Sequence, residues 1–104
     1  MKHIHIIGIG GTFMGGLAAV AKEAGFQVTG CDAKMYPPMS TQLEALGIGV
    51  HEGFDADQLA KFPADVYVIG NVAKRGMEVV EAILNRGLPY ISGPQWLAEN
   101  VLQG

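Results

Sequence analysis

The sequence is poor in the residue types that mark several large classes of protein. It has one cysteine in 104 residues, so it can form no internal disulfide and is not a disulfide-stapled secreted domain. Lysine and arginine total 7 against 10 acidic residues, and this net charge of −3 argues against a nucleic-acid or anionic-membrane surface. No apolar run approaches the roughly 20 residues that a membrane-spanning helix needs. We therefore expect a cytoplasmic protein with neither a nucleic acid nor a membrane as partner.

Charged residues are also scarce, at 16% of the chain, whereas glycine is abundant, with 15 residues. An average globular chain carries roughly 25% charged residues, so part of this surface is expected to be covered by further protein. The position of the glycines is more informative than their number, because several of them lie where a short strand meets a helix.

Short β-branched runs alternate with helical stretches along the whole chain. Strands are predicted over 3–7, 27–31, 48–51, 65–69 and 89–91, and helices over 14–24, 41–46, 56–61, 77–86 and 92–102. This alternation predicts a Rossmann-like α/β fold, with a parallel five-stranded sheet and helices on both faces. Residues 1–104 are expected to form a single domain. Ligands of such sheets bind at the carboxyl ends of the strands, so the residues that follow each strand are the candidates for function.

The strongest functional signal lies between the first strand and the first helix, and it reads Gly8-Ile9-Gly10-Gly11-Thr12-Phe13-Met14-Gly15-Gly16. Glycines let the backbone approach a phosphate, and a helix N-terminus supplies N–H groups with a partial positive charge. The run matches the dinucleotide fingerprint G-x-G-x-x-G at two positions, but Phe13 stands where the third glycine belongs. A phosphate or diphosphate cradle is therefore predicted, and the alternative is a turn that only packs strand on helix. The binding residues predicted from this run are Gly8, Gly10, Gly11, Thr12, Phe13, Met14 and Gly15.

Two further segments follow strands that neighbour the first one. Asp32 follows the second strand, where a carboxylate accepts hydrogen bonds from ribose hydroxyls. The alternative is an aspartate that only caps the turn after the strand. Asn71, Val72 and Ala73 follow the fourth strand and are expected to line the same cleft.

The sequence shows no machinery for a chemical step. It contains no G-x-x-x-x-G-K-[ST] loop, no G-x-S-x-G elbow and no carboxylate pair at catalytic spacing. His3 and His5 share one face of a strand, but no third metal ligand accompanies them, so we interpret them as two histidines beneath a helix. We predict no catalytic residue, no metal ligand and no bound cofactor in this chain, which reads as a half-site for a nucleotide diphosphate.

With these residues the chain resembles the N-terminal domain of the Mur ligases, the ATP-dependent amide-forming enzymes of peptidoglycan synthesis. The resemblance runs nearly end to end and includes the glycine run, Gly30-Cys31-Asp32 and Gly70-Asn71-Val72-Ala73. Two further segments point to the branch of the family that acts in peptidoglycan recycling, namely Tyr36-Pro37-Pro38-Met39-Ser40-Thr41 and Ser92-Gly93-Pro94-Gln95-Trp96-Leu97-Ala98-Glu99. The L-alanine-adding branch has a similar glycine loop but typically differs in these two segments.

The resemblance implies a domain that binds the UDP part of UDP-N-acetylmuramate within a three-domain bacterial ligase. The central and C-terminal domains, outside these residues, would bind ATP with Mg²⁺ and the murein tripeptide L-Ala-γ-D-Glu-meso-diaminopimelate. The family activates the muramate carboxylate as an acyl phosphate, which the amine of the peptide then attacks. The chain alone is thus expected to be inactive. Three alternatives stay open: the same domain of the L-alanine-adding ligase, an NAD(P)-binding domain of an oxidoreductase, and a nucleotide-sensing module without an enzyme.

Overall fold

The structure, a computed structural model, describes residues 2–70, 73 and 75–101. Its strands are β1 (His3–Ile7), β2 (Gln27–Asp32), β3 (Gly49–Glu52), β4 (Val66–Ile69) and β5 (Tyr90–Ser92). Its helices are α1 (Thr12–Glu23), α2 (Met39–Ala45), α3 (Gln58–Lys61), α4 (Glu78–Asn85) and α5 (Gly93–Asn100). Within the described residues the five strands form one sheet in the order β3-β2-β1-β4-β5, and all neighbours pair in parallel. This confirms the predicted Rossmann-like fold.

Both faces of the sheet are covered, because side chains alternate along each strand. On one face Ile4 and Ile6 of β1 belong to a core that includes Trp96 of α5 and residues of α1 and α2. On the other face Ile7 belongs to a second core with Val79 of α4 and residues of α3. The apolar character of β4 along its length is typical of a strand buried on both sides.

A polar group of side chains lies on the second face, and we call His3, His5, Thr29 and Gln58 the histidine cluster. The fully buried His5 has Nδ1 2.7 Å from the Thr29 hydroxyl and Nε2 2.7 Å from Oε1 of Gln58. The Gln58 amide nitrogen donates to two backbone carbonyls of the loop before α3, at 3.2 and 2.9 Å. Its oxygen therefore faces His5, which donates from Nε2. His3 completes the cluster through Nε2, which lies 2.7 Å from the same Thr29 hydroxyl.

Burial decides the charge of His5. It lowers the pKa of His5 to about 4, from an ordinary 6.5, because the imidazolium loses its hydration, and the hydrogen bond to Gln58 opposes this effect. His5 is therefore neutral near pH 7. Among the described residues every buried polar side-chain atom has a hydrogen-bond partner. The prediction that His3 and His5 share one face of β1 is confirmed, and Gln58 of α3 contacts His5 on that face.

Two helices begin earlier than their sequence predicts. The helix predicted over 14–24 begins at Thr12, with Gly11 as an extended N-cap and a 2.7 Å bond from the Gly15 N–H to the Gly11 carbonyl. The helix predicted over 41–46 begins at Met39, because Pro38 occupies the N-cap position, where a missing N–H is harmless. The other boundaries agree with the prediction to within two residues, and β1 has the predicted bounds. In the described part of the chain, no helix has both the length and the apolar character needed to cross a membrane.

Candidate functional site

The glycine loop, residues 8–11, connects the end of β1 to the start of α1 at the carboxyl edge of the sheet. Gly8 has a φ of 90°, a conformation in which a side chain would be strained. The N–H groups of Gly8 and Ile9 both donate to the Cys31 carbonyl on β2, at 2.8 and 3.0 Å. Within the described residues no side chain caps α1. The N–H groups of the first helical turn, residues 12–14, therefore have no partner inside the helix and can receive an anion.

Asp32 fastens this loop from the neighbouring strand. Its Oδ2 accepts the Gly10 N–H at 2.8 Å, and its Oδ1 accepts the Ala33 N–H at 2.7 Å. A Cβ on Gly10 would lie 2.6 Å from Asp32 Oδ2 and 2.8 Å from Met35 Sδ, so a side chain at this position would displace both groups. Each carboxylate oxygen keeps a second acceptor site. Asp32 can therefore hold the loop and still accept hydroxyl groups of a ligand.

Two clefts flank the glycine loop. The β4-side cleft, of about 460 Å³, lies between the start of α1, the end of β4 and the start of α5, and its lining includes Gly8, Gly11, Phe13, Gly70 and Pro94. The β2-side cleft, of about 290 Å³, is lined by Gly10, Asp32, Lys34, Met35, Tyr36 and Met39. A ligand whose phosphates lie on the loop can extend into both clefts.

Phe13 and Met14 occupy the space between α1 and α5. Phe13 is 50% exposed, and its Cε2 would lie 3.1 Å from a Cβ placed on Gly93. Met14 is buried, and its Sδ would lie 2.8 Å from that same Cβ. Phe13, which stands where the fingerprint has its third glycine, is therefore accommodated because Gly93 at the start of α5 has no side chain.

The structure brings most of the predicted site residues to the loop and its clefts. Gly15 lies in the first turns of α1, and a Cβ there would come within 3.0 Å of the Met39 side chain. Ala73 is half-buried beyond β4, and its N–H donates to the Gly70 carbonyl at 3.1 Å. The predicted residues Asn71 and Val72 lie outside the described residues.

Sequence reasoning missed Met35, Tyr36 and Met39 as parts of this site. All three follow β2 at the carboxyl edge, and that position was the available signal. Met35 and Tyr36 lie in the irregular segment between β2 and α2 and Met39 is the first residue of α2, so no periodic pattern in the sequence marks the three as neighbours of the glycine loop and the start of α1.

Cys31, beneath the glycine loop, is fully buried, and burial raises the pKa of its thiol to about 12, so it is not a nucleophile near neutral pH. Among the described residues no group of three histidine, cysteine or acidic side chains is placed to hold a metal ion.

The fold and the glycine loop together define a Rossmann-like α/β domain with a loop suited to a phosphate group. Residues 3–103 match the family described as Mur ligase family, catalytic domain. The chain belongs to the Mur ligase family.

Several ligases share much of this sequence. The UDP-N-acetylmuramate--L-alanyl-gamma-D-glutamyl-meso-2,6-diaminoheptandioate ligase of Escherichia coli (strain K12) is 56% identical over 100 residues, which cover 96% of this chain and 22% of that protein. The ligase of the same name from Haemophilus influenzae is 52% identical over 103 residues, covering 99% and 22%. The crystal structure of UDP-N-acetylmuramate:L-alanyl-gamma-D-glutamyl-meso-diaminopimelate ligase from Neisseria meningitides is 88% identical, with a TM-score of 0.97 over 98% of this chain and 32% of that one. The chain thus spans about a fifth of the length of the curated relatives it matches.

Proposed function

We propose that this chain binds the UDP part of UDP-N-acetylmuramate within a bacterial ligase of peptidoglycan recycling. That ligase joins L-alanyl-γ-D-glutamyl-meso-diaminopimelate to the muramate carboxylate. The observation that carries the proposal is the start of α1, which no side chain caps. It follows a glycine loop that is hydrogen-bonded to Asp32 of β2. The names of the relatives at 52% and 56% identity support the choice of substrate.

The chain's own residues account for the binding of a nucleoside diphosphate. In this proposal the diphosphate accepts hydrogen bonds from the N–H groups of residues 12–14. Such charge-assisted bonds contribute roughly 1.5–3 kcal/mol each. The ribose hydroxyls donate to the free acceptor sites of Asp32, and Asn71, Val72 and Ala73 stay predicted as substrate-binding residues after β4. The N-acetylmuramate then leads away from the loop towards the remainder of the ligase.

ATP and Mg²⁺ do not fit this chain. Its glycine loop carries no lysine, and the sequence contains no G-x-x-x-x-G-K-[ST] motif. We assign ATP, Mg²⁺ and the murein tripeptide to the central and C-terminal domains of the full cytoplasmic ligase. The chain alone therefore binds UDP-N-acetylmuramate and catalyses no reaction.

A titration followed by amide NMR shifts tests this function. We expect UDP and UDP-N-acetylmuramate to shift the amides of residues 8–15 and 32–33, and NAD to leave them unchanged. Binding of NAD without a response to UDP would contradict the proposal and favour an oxidoreductase domain. Hydrolysis of ATP by the chain alone, dependent on UDP-N-acetylmuramate, would contradict the assignment of catalysis to the other domains.

A further inference from the structure

Tyr36 is exposed although its backbone is held firmly beside the glycine loop. The ring belongs to a side chain that is 64% exposed and lines the β2-side cleft. Met35, its neighbour, packs so closely on Gly10 that a Cβ there would meet Sδ at 2.8 Å, and Met39 packs in the same way on the start of α1. The Tyr36 carbonyl accepts the Ser40 N–H at 3.1 Å. The backbone that carries this ring therefore lies between two packed methionines, while the ring itself contributes little to the core.

The carboxylate beside the loop sets the direction of a bound nucleoside. Asp32 lines the β2-side cleft, whereas the described lining of the β4-side cleft includes no carboxylate. With the phosphates on the glycine loop, a ribose that donates to Asp32 enters the β2-side cleft. The base lies beyond the ribose, away from the phosphates, and therefore reaches the wall formed by Met35 and Tyr36.

We propose that Tyr36 is the base-stacking residue of this site. The uracil ring stacks on the exposed face of Tyr36, and the side chains of Met35 and Met39 form the floor of the cleft. This inference rests on the proposed function and adds to it a residue that determines affinity for the nucleoside. Stacking requires only the π-face of a base, so Tyr36 contributes to the binding of uridine nucleotides without reading the edge of the base.

The test compares UDP with inorganic pyrophosphate, which lacks the base and ribose and reports on the loop alone. Tyr36→Ala is expected to raise the Kd for UDP about tenfold, equivalent to about 1.4 kcal/mol, in the range of one base–aromatic stack. The Kd for pyrophosphate is expected to change by less than about twofold, because the phosphate contacts stay intact. Tyr36→Phe keeps the ring and is expected to hold the Kd for UDP within about twofold.

Tyr90→Ala is the matched control, because Tyr90 is similarly exposed, at 57%, and lies on β5, three strands away from β2. It is expected to leave both dissociation constants unchanged. Equal weakening of UDP and pyrophosphate by Tyr36→Ala would show that the ring supports the loop, and would overturn the inference. Unchanged UDP affinity in Tyr36→Ala would overturn it as well, yet leave the proposed function standing. A native chain that fails to bind UDP would overturn the proposed function itself.

Discussion

Polar groups lie at both ends of β1, but they are hydrogen-bonded within the protein at one end and available to a ligand at the other. Near its start, the histidine cluster is buried or half-buried and each imidazole nitrogen has a protein partner within 2.9 Å. At its end, the N–H groups that begin α1 have no partner in the helix, and their residues, 12–14, line the β4-side cleft. Polar groups satisfied inside the protein contribute to stability, whereas groups left to the outside are available to a ligand. Changes in the cluster should therefore lower stability alone, and changes at the loop should lower affinity.

The largest expected effect is acid unfolding through the cluster. The pKa of His5 is about 4 in the folded state and near 6.5 in the unfolded state, so the unfolded state binds the proton more readily between these values. The stability contributed by neutral His5 is complete above pH 6.5 and is lost as the pH falls towards 4. The loss amounts to about 3 kcal/mol. Urea denaturation at a series of pH values between 7.5 and 4 measures it.

A His5→Gln variant is the control for this pH dependence, because it lacks the titrating group. Its stability should start lower at pH 7.5 and decline less between pH 6.5 and 4. If the variant loses as much stability as the native chain over that interval, His5 is not the responsible group.

Gln58→Leu should produce the next largest loss. The substitution leaves the buried Nε2–H of His5 without an acceptor, at a cost of about 1–3 kcal/mol in the free energy of unfolding. The matched control is Gln42→Leu, on the exposed side of α2, which should change stability by less than about 0.5 kcal/mol. UDP affinity should be unchanged in both variants. A thermal melt of Gln58→Leu that coincides with that of the native chain would show that the cluster does not stabilise the fold.

Gly10→Ala tests the glycine loop, at the other end of β1. Its new Cβ would lie 2.6 Å from Asp32 Oδ2 and 2.8 Å from Met35 Sδ, so both side chains must move and the bond from the Gly10 N–H to Asp32 is disturbed. We expect UDP affinity to fall at least about tenfold, or 1.4 kcal/mol. Gly16→Ala is the control, because a Cβ there meets nothing within 4 Å. It should keep its affinity and gain roughly 0.5–1 kcal/mol of stability from the replacement of a helical glycine. Equal UDP affinity in the two variants would contradict the role of the loop.

The fold and part of the site follow from local patterns, and the rest depends on contacts that no local pattern encodes. The β-branched run of β1 and the glycines after it predict a strand, a tight turn and a helix start, and the structure has all three. The partner of His5 lies 53 residues away on α3, a helix of four residues that is too short to show periodicity. Asp32 is predicted as a ligand residue, but its bond to the Gly10 N–H depends on the register of two neighbouring strands.

Asp32→Asn is expected to have the smallest effect. It tests both sides of the comparison, because this carboxylate bonds to the protein backbone and is also proposed to bind the ligand. The asparagine keeps one acceptor oxygen, so it can hold only one of the N–H groups of Gly10 and Ala33. The free energy of unfolding should fall by about 1 kcal/mol, as for one lost hydrogen bond. UDP affinity should fall about fivefold, since a neutral acceptor replaces a charged one at the ribose.

A titration with 2′-deoxy-UDP separates the two roles of Asp32. If the carboxylate accepts the ribose 2′-hydroxyl, the native chain binds UDP more tightly than 2′-deoxy-UDP, and Asp32→Asn reduces that preference. The two proteins and the two nucleotides form a double-mutant cycle, which isolates the coupling between the carboxylate and the hydroxyl. If Asp32 only fastens the glycine loop, the substitution weakens both nucleotides by the same factor and the preference is unchanged. That result, together with the loss of stability, would remove Asp32 from the binding site and leave it as the residue that holds the loop in place.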